Sequence, residues 1–122
     1  YMRGSNNTKI TGASYASSTQ WVITGSNVEC TGNIESLLDW ETVLNDGHPT
    51  MSNSCFNSMF YGCTALTTVY IESVSSVPWL WNSFTFGSCS NLTNIYVPSS
   101  LVNDFKNDSK WSWFSTKIKA RY

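Results

Sequence analysis

The sequence predicts an α/β chain built as a short solenoid, with a β-rich N-terminal cap and a helical C-terminal cap. Three observations carry that expectation. An internal repeat of 26 residues joins FYGCTALTTVYI (60–71) to FGSCSNLTNIYV (86–97). Each copy ends in β-branched alternation. Apolar residues at helical spacing flank the pair on both sides.

Within the repeat, Phe60, Cys63, Leu66, Val69 and Ile71 superpose on Phe86, Cys89, Leu92, Ile95 and Val97, and Thr67 on Thr93. The closing [VI]-x-[VI] has period 2, so Thr68–Ile71 and Asn94–Val97 read as strands whose apolar members share one face. Phe, Cys and Leu at three-residue spacing suit a turn that packs one side inward. One strand and one return segment per period in the twenties is the layout of leucine-rich-repeat solenoids, and this chain holds about two units. Tyr70 and Tyr96 fall between the inward β-branched residues, so the alternation turns them outward.

A solenoid cannot bury its end units alone, which makes caps obligatory. Residues 1–45 read as an N-terminal β-plus-helix cap, 50–98 as two repeat units and 99–122 as a helical C-terminal cap, together one domain. In the first cap, Tyr1–Arg3, Lys9–Thr11, Trp21–Thr24 and Val28–Thr31 are β-favourable, with breaks at Gly4, Gly12-Ala13-Ser14 and Gly25-Ser26-Asn27. Trp21–Thr24 and Val28–Cys30 look like a hairpin. Residues 33–44 carry Ile34, Leu37, Leu38, Trp40, Val43 and Leu44 at helical spacing, with Asn33 as N-cap and Glu35 and Asp39 on the polar side. Asn45-Asp46-Gly47-His48-Pro49 ends that helix in a turn. Val77–Phe84 replaces the amphipathic return segment with Pro78-Trp79-Leu80-Trp81. After Pro98, Leu101, Val102 and Phe105 form one helical face, and Trp111, Phe114 and Ile118 continue into a short helix and a last strand. Trp81, Trp111 and Trp113 are large enough to supply core at the ends.

Composition narrows the function classes. Charged residues are 12% of 122, about half the share usual in soluble domains, and the net charge is −1. Twenty Ser, thirteen Thr and twelve Asn make the surface polar but neutral. The basic excess needed for phosphate neutralisation is missing, which argues against a nucleic-acid partner. No apolar run approaches the ~18 residues of a membrane span, so no membrane insertion is expected. Leu, Ile, Val and Phe total 27 residues, enough to argue against disorder. The opening Tyr1-Met2-Arg3-Gly4 has no secretion signal and reads as a cut within a longer protein.

Few residues suggest chemistry. Cys30, Cys55, Cys63 and Cys89 contain no C-x-x-C pair, and His48 has no Cys near it, so no metal site is expected. The repeat position of Cys63 and Cys89 points to stacked inward thiols; a disulfide, with Cys55 bonded to Cys63 or Cys30, is the alternative. His48, before Pro49, reads as a surface loop residue. There is no G-x-S-x-G elbow, and the acid nearest His48 is Asp46 in the same turn. The eight carboxylates show neither a glycosidase pairing nor the spacing of a calcium loop. No catalytic residue or cofactor is expected, and the protein is not expected to be an enzyme. Lys106, Lys110, Lys117, Lys119 and Arg121 hold five of the seven cations and read as a solvated cap complementing helix C-termini. The sequons at Asn6, Asn91 and Asn107 matter only in a eukaryotic secretory pathway.

The run from Cys55 to Thr68 resembles the repeat of BspA-like leucine-rich-repeat proteins. Gly32 to Trp40 is similar to the segment before their first repeat. Asn91 to Val102, followed by Trp111 to Ala120, is similar to their C-terminal cap. The resemblance implies surface proteins of gut bacteria and the tail or receptor-binding proteins of phages and prophages. The expected function is therefore non-enzymatic recognition of a host-cell protein or glycan, outside the cell. Tyr70, Tyr96, Trp79 and Trp113 are the candidate contacts, since aromatic faces among Ser, Thr and Asn suit such ligands. The rival is a structural cap or spacer that packs against other domains or copies of its parent assembly.

Overall fold

The structure, a computed structural model, describes residues 2–14, 17–18, 21–52, 55–72, 74–80 and 83–121; for 12–14, 17–18 and 83–84 it describes the backbone. Strands β1 (Gly12–Ser14) and β2 (Ser17–Ser18) form a small antiparallel pair. Strands β3 (Val28–Cys30), β4 (Leu66–Tyr70), β5 (Asn94–Val97) and β6 (Ile118–Ala120) form a second sheet, parallel throughout and in chain order. The chain is thus a small α/β domain with a four-strand parallel sheet and little helix.

Parallel neighbours need crossover connections, because a tight turn cannot return the chain to the same end of the sheet. Here the crossovers are built from single helical turns. A 3₁₀ turn (Ile34–Leu37) and helix α1 (Trp40–Leu44) follow β3, and a 3₁₀ turn (Ser83–Phe86) links β4 to β5. Beyond β5 come a 3₁₀ turn (Ser99–Leu101), helix α2 (Val102–Asn107) and a last 3₁₀ turn (Trp111–Phe114).

The 26-residue repeat is the register of the sheet. Thr68 pairs with Asn94, Val69 with Ile95 and Tyr70 with Tyr96. All five apolar positions of both copies are buried, and Phe60 stacks on Phe86 with centroids 5.5 Å apart. The Cys89 thiol, one repeat on from Cys63, donates to the Phe60 carbonyl at 2.9 Å. All four cysteines are free thiols, with Cys55, Cys63 and Cys89 buried. In β4 the pairing with β3 shifts register between Val28 and Glu29, opposite the stretch between buried Leu66 and buried Val69. That irregularity lets both residues point inward in one strand, where strict alternation would turn one of them out.

Trp111 closes the C-terminal end. It is fully buried, packs edge-on against Phe105 at 5.0 Å, and donates its indole N–H to the Pro78 carbonyl at 2.6 Å. Phe114 meets Phe86 edge-on at 5.6 Å. Trp81 lies outside the described residues, as does Tyr1.

Several local expectations are corrected. Trp21–Thr24 is not a strand and makes no hairpin with β3, which pairs in parallel with β4 instead. The Trp21 N–H bonds to the Met59 carbonyl and its ring sits edge-on to Phe60, so the segment docks on the first repeat. Lys9–Thr11 is likewise no strand; the N–H groups of Ile10 and Thr11 both turn to the Cys55 carbonyl. Gly12-Ala13-Ser14, read as a break, forms β1. The helix expected over 33–44 is two pieces. Asn33 does cap the first, through its Oδ1 and the Glu35 N–H at 3.0 Å. Asp39, expected on the polar side, interrupts it and caps α1 by accepting from Thr42. Glu35 is not on a polar side: it is 1% exposed. Trp113, expected to supply core, is 50% exposed.

Candidate binding face

Period-2 geometry from Thr68 onward places Thr68 and Tyr70 on the face of the sheet opposite Val69, and Asn94 and Tyr96 opposite Ile95. The pairing extends the tyrosine row to Lys119 of β6. Tyr70 and Tyr96, directly opposite in register, stack with centroids 5.3 Å apart and planes at 19°. Each ring is therefore half-buried against its neighbour. The Arg121 guanidinium lies over Tyr70 at 4.6 Å from the ring centre and is ion-paired to Glu72. A cation over a ring face is attracted by its quadrupole, so the pair is closed on one side by Arg121. Lys119 donates to the Asn94 side chain, which orders the same face.

Beside it opens a cleft of about 710 Å³, lined among others by Asn27, Glu29, Thr67, Asn91, Thr93 and Asn94. Its donors and acceptors are neutral apart from Glu29. Asn91 bonds to the Thr64 carbonyl and the Thr93 hydroxyl to the Thr67 carbonyl, repeat to repeat. A stacked aromatic pair next to such a cleft presents apolar ring surface and neutral hydrogen-bonding groups together.

The four candidate contacts do not form one cluster. Trp79 is 51% exposed and stacks on His48, 5.1 Å between centroids, with planes at 11°. Trp113 carries Lys110 over its ring at 5.0 Å. Among the described residues no ring contact joins either of them to the tyrosines.

His48 is not a bare loop residue. Its Nδ1 lies 2.9 Å from both oxygens of the Glu35 carboxylate and its Nε2 lies 3.0 Å from the Ser76 hydroxyl. The Trp79 backbone N–H donates to Glu35 at 2.8 Å. Burial pushes the Glu35 carboxyl above its ordinary range, against the opposing pull of the Trp79 N–H and His48. Thirteen residues separate Glu35 from His48, and 28 separate His48 from Ser76, so no local motif marked the group. The C-terminal cations are also more engaged than expected. Only Lys106 sits in the last turn of a helix; Lys117 donates to the Leu92 carbonyl, and Lys110 and Arg121 cover rings.

Among the described residues no group of three or more His, Cys, Asp or Glu is placed to hold a metal ion, and no helix is long and apolar enough to cross a membrane. No family model, curated protein or solved structure matches this chain.

Proposed function

We propose that this chain is a short BspA-like leucine-rich-repeat solenoid acting as a recognition module on a bacterial surface or phage tail. Its ligand is a host-cell protein or glycan, engaged on the Tyr70/Tyr96 face outside the cell, with no catalytic step at that face. The observation that carries this reading is the stacked tyrosine pair beside a neutral polar cleft. The repeat-long register between β4 and β5 supports the solenoid part of it. Tyrosine suits recognition because it offers a large rigid face at small entropic cost, with a hydroxyl for orientation.

The test is binding of the fluorescently labelled chain to a panel of bacterial and epithelial cells, against the double variant Tyr70→Ala/Tyr96→Ala. Loss of staining by a folded double variant supports the reading. Equal staining by both proteins, or no staining by either, contradicts it; the second outcome is what a structural cap or spacer predicts.

A further inference from the structure

Ser76, His48 and Glu35 stand in the order of a nucleophile, a base and an orienting acid. The Ser76 hydroxyl is 3.0 Å from Nε2, and Nδ1 is 2.9 Å from the carboxylate. The neutral imidazole with its proton on Nδ1 donates to Glu35 and leaves Nε2 to accept from Ser76. This connectivity, rather than any sequence order, is what activates a serine. Two of the members are also held in place. Glu35 is buried and held by the Trp79 N–H, and the imidazole is clamped flat against the Trp79 indole. Ser76 itself is exposed, as a nucleophile must be. The backbone N–H groups of Ser76 and Val77 make no hydrogen bond among the described residues.

We propose that Ser76, His48 and Glu35 form a hydrolytic site for short-chain carboxylic esters, separate from the tyrosine face. The cavity that adjoins Glu35, His48 and Ser76 measures about 10 Å³, the room of one water and not of an acyl chain. The acyl group therefore sits at the surface, where no pocket rewards a longer chain. In the first half-reaction Ser76 Oγ attacks the carbonyl carbon, its proton passes to His48 Nε2, and the C–O bond to the alcohol breaks. The alkoxide leaves with that proton. In the second, Nε2 takes a proton from water as its oxygen attacks the acyl-serine; the carboxylic acid departs and Ser76 regains its hydrogen. Glu35 is a positioning residue, acting through the imidazole.

The test exposes the whole chain to a fluorophosphonate probe and, separately, to p-nitrophenyl acetate. Expected are one probe adduct mapping to Ser76, ester turnover lost in Ser76→Ala, and turnover lowered about 100-fold or more in His48→Gln. Glu35→Gln should lower kcat with KM little changed, and Ser75→Ala should still be labelled at Ser76. Ser76 is exposed, so its alanine variant keeps the fold, and circular dichroism verifies this even where His48→Gln unfolds. Absence of an adduct on Ser76, or ester turnover that survives in Ser76→Ala, overturns the proposal. Either result leaves the cell-binding experiment on Tyr70 and Tyr96 unaffected.

Discussion

Tyr70 and Tyr96, one repeat apart in the chain, stack ring on ring across paired strands, 5.3 Å between centroids. The relationship follows from arithmetic. Two copies of one sequence pattern pair at their own period, so equivalent residues become lateral neighbours, and outward aromatics form a ladder. Phe60 and Phe86 repeat the arrangement in the core.

The tyrosine stack should be measurable as coupling. In a double-mutant cycle with Tyr70→Ala and Tyr96→Ala, chemical denaturation should give a coupling of about 0.5–1.5 kcal/mol. Additive effects would mean that the rings do not stack in solution.

Trp111 should dominate the stability of the C-terminal end. It is fully buried and its N–H satisfies the Pro78 carbonyl. Trp111→Ala should cost about 3–5 kcal/mol, the range for large aromatics removed from a core. Trp111→Phe keeps an aromatic ring, though a smaller one, and strands the carbonyl, for a loss of about 1–3 kcal/mol. Thermal unfolding of both variants checks the order.

Glu35 makes stability depend on pH in a definite direction. Its folded pKa is raised by burial above the ordinary 4.5, with His48 the ionisable side chain bonded to it. The folded state therefore holds the Glu35 proton more tightly than the unfolded chain does. Stability linked to that proton is fully present below about 4.5 and is lost as pH rises through the folded value. Glu35→Gln does not titrate, so the wild type should lose stability relative to it as pH rises across this window. Urea denaturation of both proteins at pH 4 to 7 reads the difference.

The buried cysteines should be silent until the fold opens. Burial pushes Cys55 and Cys89 up to about 11, and both side chains are buried. Ellman's reagent at pH 8 should leave both unmodified in the native chain. In denaturant without reductant all four thiols should titrate. Two or fewer would establish a disulfide.

The parts of the fold readable from the sequence are those where one periodicity governs. The repeat fixes strand positions in β4 and β5, their inward residues and their mutual register, because each copy meets the same environment. Phe105, Trp111 and Phe114 are buried where helical spacing puts them. The stretch before β3 resists such reading. There the chain is held by backbone bonds to distant carbonyls, as Ile10 to Cys55 and Trp21 to Met59, and β-propensity is overridden by docking. The candidate site divides the same way. Tyr70 and Tyr96 follow from alternation, whereas the Glu35–His48–Ser76 group depends on a 3₁₀ turn and two loops meeting and leaves no spacing to find. A carboxylate next to buried Ile34 in a cap turn was the one local hint that Glu35 faces inward.

The most direct test of recognition by the tyrosine face is a glycan array probed with the labelled wild-type chain and with the Tyr70→Ala/Tyr96→Ala variant. Selective binding by the wild type to a subset of glycans, lost in a variant with an unchanged circular dichroism spectrum, is the expected result for a glycan ligand. Wild-type binding retained in full by the variant would contradict the assignment of that face.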